Sequence, residues 1–199
     1  LFDKNLSSAD NTAYFAGYDA AGEGKAAAQA IAENDNGKSN VVIEIVGPED
    51  NPNAVAASKA FHEVIDLVTN IKVVKVYSEW SPSVAASGLT SALSRYPEAS
   101  AIYSSNSTLD ASISEVLDKF GLNKKVDESG HIYRVSVGGS KNGYTGAVDG
   151  YIDLLIVTIP LTAEFRLLQV LKRLFELPVD VRLSALSSQV RLDASAYTW

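Results

Sequence analysis

Residues 41–77 read VVIEIVGPEDNPNAVAASKAFHEVIDLVTNIKVVKVY, and the fold follows from how this stretch divides. Val41 to Val46 is a β-branched run that reads as a buried strand. Gly47-Pro48 ends it, since proline brings no N–H to a ladder. Asn51-Pro52 opens a helix whose apolar side carries Ala57, Ala60, Phe61, Ile65 and Val68, and Ile71 to Tyr77 is a second strand. Strand, helix and strand within so few residues is the unit from which parallel sheets are built.

The same alternation continues on both sides. Toward the carboxyl end, Ser81-Pro82 starts a helix through Leu93, with serine at the cap and proline in the first turn, before Tyr96-Pro97 breaks it. Ala101 to Tyr103 reads as a short strand, Ser107 to Phe120 as a helix closed by Gly121, and Ile132 to Val137 as a strand ended by Gly138-Gly139. Toward the amino end, Gly24 to Glu33 reads as a helix on Ala26, Ala27, Ala28, Ala30 and Ile31, stopped by Asn36-Gly37. Strands apolar on both faces, alternating with helices, predict an α/β fold with a parallel sheet covered by helices on both faces. Ligands of such sheets sit beyond the carboxyl ends of the strands, so the loops after Val46, Tyr77, Tyr103 and Val137 are where function is sought.

The character changes after Gly150. Asp153 to Thr158 reads as a strand and Leu161 to Leu177 as a helix, on which Phe165, Leu168, Leu171, Leu174 and Phe175 form a stripe that Leu167 and Val170 widen. Such a helix needs more than one neighbour. Pro178 to Val190 reads as two extended segments, and Asp193 to Trp199 carries no pattern.

Composition narrows the classes of function. The chain has 199 residues, 46% of them hydrophobic, enough for one good core or two small ones. Its formal net charge is −7 with both signs interspersed, so no basic patch is available to a nucleic acid. The longest apolar runs, such as Leu154 to Val157, fall far short of the roughly 18 residues a membrane helix needs. There is no cysteine, which excludes disulfides and thiolate chemistry, and no methionine. A chain opening Leu1-Phe2-Asp3 reads as a processed or trimmed product without its signal peptide.

The order of elements, with the residues at their ends, resembles the sugar-binding proteins of the ribose-binding group, within the periplasmic binding proteins of type I, from about Phe15 to Leu183. Tyr18-Asp19-Ala20-Ala21-Gly22-Glu23-Gly24-Lys25 is similar to the aspartate, spacer and glycine that open that family's second lobe. Val46-Gly47-Pro48 with Ala60-Phe61, Glu79-Trp80, Tyr103-Ser104-Ser105-Asn106, Val135 to Ser140, and Val148-Asp149-Gly150-Tyr151-Ile152 follow in the family's order. The resemblance implies that residues 1–158 are mainly a carboxy-terminal lobe, with Leu1 to Asn5 near a crossing between lobes. It implies that residues 159–199 return toward an amino-terminal lobe lying outside this chain, with the 161–177 helix packing on that lobe, on a partner chain or on a second copy.

It also implies a ligand site. Sugar recognition uses aromatic faces and planar polar groups, and by resemblance the aromatic is Trp80 and the carboxamide Asn106. The family's arginine falls on Ala57, its two aspartates on Ser107 and Ser140, and its glutamine on Thr158. The ligand-binding set implied is thus Trp80, Asn106, Ser107, Ser140 and Thr158, without the charged groups that bond hydroxyls most strongly. Other readings of the same residues stand beside it. Trp80 also reads as an interface aromatic, Asn106 as a helix cap, Ser107 and Ser140 as groups satisfying backbone at helix starts, and Asp19 as a turn or hinge acceptor. His62 and His131 are too isolated to suggest a metal or a triad. Gly138-Gly139-Ser140-Lys141 lacks the spacing of a phosphate loop. Asn5-Leu6-Ser7 and Asn106-Ser107-Thr108 are glycosylation sequons, of meaning only in a eukaryotic secreted protein.

Two functions are carried forward. One is a periplasmic or extracellular receptor, not an enzyme and without cofactor, that closes two lobes on a small polar ligand such as a sugar or polyol for a membrane transporter or sensor. The other is a degenerate lobe kept as a structural or oligomer-forming module. A dinucleotide-binding enzyme would need a glycine-rich turn after its first strand, and Gly47-Pro48-Glu49 is not one.

Overall fold

In the computed structural model, residues 2–3, 16–17, 19–35 and 40–157 are described. Near the amino end, β1 (Phe2–Asp3) and β2 (Ala16–Gly17) form a two-stranded parallel pair. Then come α1 (Ala20–Asn34), β3 (Asn40–Val46), α2 (Pro52–Ile65), β4 (Ile71–Tyr77), α3 (Pro82–Arg95) and β5 (Ala99–Ser104). A 3₁₀ turn at Ser107–Leu109 leads into α4 (Asp110–Phe120), followed by β6 (Tyr133–Val137), α5 (Lys141–Val148) and β7 (Leu154–Ile156).

β3 to β7 make one parallel sheet in the spatial order β4-β3-β5-β6-β7. Successive side chains on a strand face opposite ways, and the core divides accordingly. Val42, Tyr103 and Val135 pack with Ala27, Ala28 and Ile31 of α1 and Phe61 and Ile65 of α2. On the other face Val41, Ile43, Ile45 and Ile102 pack with Leu89 and Leu93 of α3 and Ile113, Val116 and Leu117 of α4. The expected parallel sheet with helices on both faces is therefore what forms, and no helix among the described residues is long and apolar enough to cross a membrane.

Four local differences from the sequence reading have physical causes. α1 starts at Ala20 rather than Gly24 because the Asp19 carboxylate accepts the Gly22 N–H at 3.0 Å and caps the extra turn. The helix expected from Ser107 opens as a 3₁₀ turn, and it closes on Gly121 at φ +67° as expected. Ser81 stands at the N-cap of α3, but its hydroxyl bonds Ser83 Oγ at 3.1 Å instead of a backbone N–H. β4 is not buried on both faces. It is an edge strand whose Lys72 and Lys75 are exposed, with the Lys72 ammonium 4.4 Å above the Tyr96 ring.

Glu44, in the middle of the interior strand β3, is fully buried. A buried carboxylate is tolerable only when paired, and this one meets His62 Nε2 at 3.0 Å and Lys75 Nζ at 3.7 Å. His62 thus bridges Glu44 to Asp66 by hydrogen bonds of 3.0 Å to each. His131 likewise joins Asp153 at 2.8 Å to the Lys124 carbonyl, also at 2.8 Å. Thr158, the 161–177 helix, the extended segments of 178–190, the 193–199 tail and the Asn5 sequon lie outside the described residues.

Candidate functional site

The strand order reverses direction between β3 and β5, and in open parallel sheets the crevice beyond the carboxyl ends at that point is where ligands bind. Here the crevice is floored by Gly47-Pro48 after β3 and Ser105-Asn106 after β5. The Ser105 N–H and hydroxyl both donate to the Ile45 carbonyl at 3.0 Å, which ties the two loops together.

On the β4 side, Trp80 lies over Gly47. A Cβ on Gly47 would fall 2.1 Å from Trp80 Cζ2, so the indole occupies space that only glycine leaves open. Glu79 and Trp80 both have positive φ, +51° and +55°. Non-glycine residues seldom adopt that region, at a cost of order 1–2 kcal/mol each. Fully buried Ser78 anchors the turn, its hydroxyl donating to the Val46 carbonyl at 2.6 Å. Tyr77 hydrogen-bonds the Glu49 carboxylate, which together with burial pushes the phenol's pKa up.

On the β5 side, Asn106 Oδ1 accepts from the N–H and the hydroxyl of Thr108, at 3.0 and 2.9 Å. The oxygen is spent on the cap, and the Nδ2 amide has no partner among the described residues. Ser107 and Ser140 are joined to each other. Ser140 N–H donates to Ser107 Oγ at 3.0 Å, Ser140 Oγ donates to the Ser107 carbonyl at 2.7 Å, and Ser140 Oγ also caps α5 by accepting the Gly143 N–H at 3.0 Å. Ser107 is only 1% exposed, so its hydroxyl closes the loops rather than facing solvent.

Beneath this latch lies a polar group the sequence reading passed over. Asp110, 3% exposed, accepts the Ser136 hydroxyl at 2.7 Å and faces the Arg134 guanidinium at 4.0 Å. Burial pushes its carboxyl from near 3.8 up to about 6, against the opposing pull of Ser136 and Arg134. The signal was legible, since Asp110 stands on the apolar stripe of α4 with Ile113 and Leu117. Ser78 and Gly47 gave no such sign, because their role is set by a turn the sequence does not announce.

Of the implied ligand set, then, the structure places Trp80 and Asn106 half-buried on two loops of the crevice and binds Ser107 and Ser140 into a shared support. Thr158 lies outside the described residues. What these groups offer chemically is an aromatic face and a neutral hydrogen-bond donor. Among the described residues no cluster of His, Asp and Glu is arranged to hold a metal ion.

A cavity of about 380 Å³ opens at the opposite, amino-terminal end of the sheet, lined by Asp35, Asn40, Glu128, His131 and Asp153 among others. Its polar groups are largely engaged with one another. Asp35 accepts from the amides of Asn40 and Asn70, and Asp153 from His131 and the Arg134 N–H. The sheet topology therefore favours the carboxyl-end crevice over this cavity.

Solved structures share this architecture. The fructose-binding periplasmic domain of a hybrid two-component system matches with a TM-score of 0.75 at 21% identity, over 90% of this chain and 58% of its own. A glucose-galactose binding protein from Geobacillus stearothermophilus matches at 0.73 and 18% identity, over 90% and 62%. The periplasmic binding protein of the arabinose ABC transporter from Shewanella sp. ANA-3, bound to L-arabinofuranose, matches at 0.74 and 19%, over 89% and 59%. At these identities the likeness is one of fold, and this chain spans about 60% of the length of such structures. No curated protein matches the sequence. The periplasmic binding protein domain family matches over residues 1–176, which takes in the whole parallel sheet and the loops at its carboxyl ends. By that match and by its type I architecture, the chain belongs to the periplasmic binding proteins.

Proposed function

We propose that this chain supplies one wall of a receptor that closes two lobes on a small neutral ligand, a sugar or polyol, in the periplasm or outside the cell, and that it is not an enzyme. Two observations on neighbouring strands carry the reading: the Trp80 indole lies on Gly47 at the end of β3, and the Nδ2 amide of Asn106, at the end of β5, is unclaimed among the described residues. An apolar ring face and a planar donor are the two kinds of contact a sugar ring takes. The names of the fold relatives, which bind fructose, glucose and galactose, or arabinofuranose, support the ligand class. Residues 1–158 would form this lobe, and residues 159–199, with Thr158 at the crossing, would lead to the other. Ser107 and Ser140 act on the ligand through the loops they hold. A membrane transporter or sensor would receive the closed form.

Isothermal titration of the full-length protein with D-fructose, D-galactose, L-arabinose and ribitol tests this. Saturable heat with at least one of them is expected, and no heat from any would overturn the reading.

A second reading, a lobe kept as a structural or oligomer-forming module, is favoured by one observation. The two positions at which the resemblance has carboxylates carry serines that are spent on each other. Light scattering separates the two, because a module of that kind self-associates with or without sugar.

A further inference from the structure

The turn from Ser78 to Ser81 has the form of a hairpin-type primed turn. Ser81 N–H donates to the Ser78 carbonyl at 2.7 Å, and both central residues, Glu79 and Trp80, have positive φ. Such turns are dominated by glycine, asparagine and aspartate, since a Cβ is disfavoured at both central positions. Here they hold a glutamate and a tryptophan. Strain of this kind persists only where its surroundings over-determine it, and the surroundings are visible. Ser78 is fully buried, its N–H and hydroxyl both donate to the Val46 carbonyl, at 2.9 and 2.6 Å, and its oxygen lies 3.4 Å from the Trp80 N–H.

The result of the strain is the pose of the indole. A Cβ built on Gly47 would lie 2.1 Å from Cζ2 and 2.4 Å from each of its ring neighbours, Cε2 and Cη2. Short, equal distances to both neighbours mean that Gly47 approaches the flat of the six-membered ring. An approach in the ring plane would leave those neighbours distinctly farther away. One face of the benzo ring is therefore covered by backbone, and a ligand can meet only the other.

We infer that Gly47 and Ser78 are positioning residues for Trp80, and that the primed turn is retained because it lays the indole on Gly47 with a single face turned to the ligand. The inference rests on the proposed function insofar as it concerns a ligand; the pose of Trp80 can be tested without one. Replacing Trp199, the second of the two tryptophans, by phenylalanine leaves Trp80 as the sole indole fluorophore.

In that W199F background, Gly47→Ala is expected to red-shift Trp80 emission and increase its quenching by acrylamide while leaving the far-UV dichroism in place. Ser78→Ala is expected to move both in the same direction by less, and serves if Gly47→Ala does not fold. Glu79→Asn, which suits the turn better, is expected to raise Tm by a few degrees and leave emission unchanged. With D-fructose, D-galactose and L-arabinose as probes, Gly47→Ala weakens whichever binds by about tenfold, and Glu79→Asn does not. Unaltered emission and quenching in both Gly47→Ala and Ser78→Ala overturn the positioning role. If no probe binds the parent protein, the proposed function falls, and the fluorescence result alone decides the pose.

Discussion

The two sides of the crevice are built on opposite principles. On the β3–β4 side a strained turn holds a half-buried indole against bare backbone, with Ser78 as its anchor. On the β5–β6 side every exposed-looking hydroxyl is turned inward. Ser107 and Ser140 bond each other's loops, Ser136 bonds Asp110, and the capping of α5 by Ser140 is ordinary in geometry. The difference separates contact from support. In the proposed receptor Trp80, the ring offered to the ligand, is held in a conformation it would not choose, whereas the serines that hold the scaffold sit in conformations that satisfy them.

Four measurements put this contrast to the test. The largest effect belongs to the support side and to pH. Asp110 has a folded-state carboxyl raised from near 3.8 to about 6. Its contribution to stability is therefore fully present below about pH 4, falls as pH rises through about 6, and is constant above that. The whole step is of order 3 kcal/mol at most. Subtracting the stability profile of Asp110→Asn from that of the parent, by urea denaturation between pH 4 and 8, is expected to leave this downward step. A flat difference would mean that Asp110 is not held as described.

Next, Gly143→Ala places a Cβ 2.7 Å from that of Ser107 and 3.1 Å from Asp110 Oδ2. Overpacking of this kind is expected to destabilise by about 2 kcal/mol despite alanine's better helix propensity, seen as a lower urea midpoint with unchanged slope. Third, Trp80→Ala is expected to weaken sugar binding about tenfold in titration calorimetry while stability changes little. Equal losses of binding in Ser107→Ala and Trp80→Ala would erase the distinction between contact and support. The smallest effect is Glu79→Asn, which relieves part of the turn strain and is expected to stabilise by about 1 kcal/mol in the same denaturation assay.

The sheet was readable because each strand is a β-branched block closed by a turn signal, as in Val41 to Val46 before Gly47-Pro48, and because helices such as 110–120 carry an apolar stripe and a terminal glycine. Such features are local. The edge character of β4 had a sign in the sequence, Lys72 and Lys75 within Ile71 to Tyr77, that the apolar residues around them masked until the strand order was seen. At the crevice the capping by Asn106 and Ser140 was readable, but the partners that join the loops were not. The Ser107–Ser140 latch spans 33 positions and depends on the β5–β6 register. The Trp80 turn is hidden for another reason: Glu-Trp carries no primed-turn signature, so φ there is imposed by Ser78 and Gly47 rather than encoded in the pair. Glu44 and Asp110 show the converse, a charge inside an apolar pattern that marks a buried pair.

The lysines of β4 bear on how this chain behaves in a crowd. Among the described residues its outer edge offers a row of backbone groups in a geometry that any extended segment, including another copy of the same strand, could complete. Lys72 is held by Tyr96, through the ring face and a 3.3 Å contact to its hydroxyl, so the charge stays at the edge instead of swinging away. Two chains brought edge to edge would have to bury or displace these fixed ammonium groups before the first intermolecular ladder bond could form. That makes the edge a barrier to edge-to-edge assembly, and its strength should fall as salt rises.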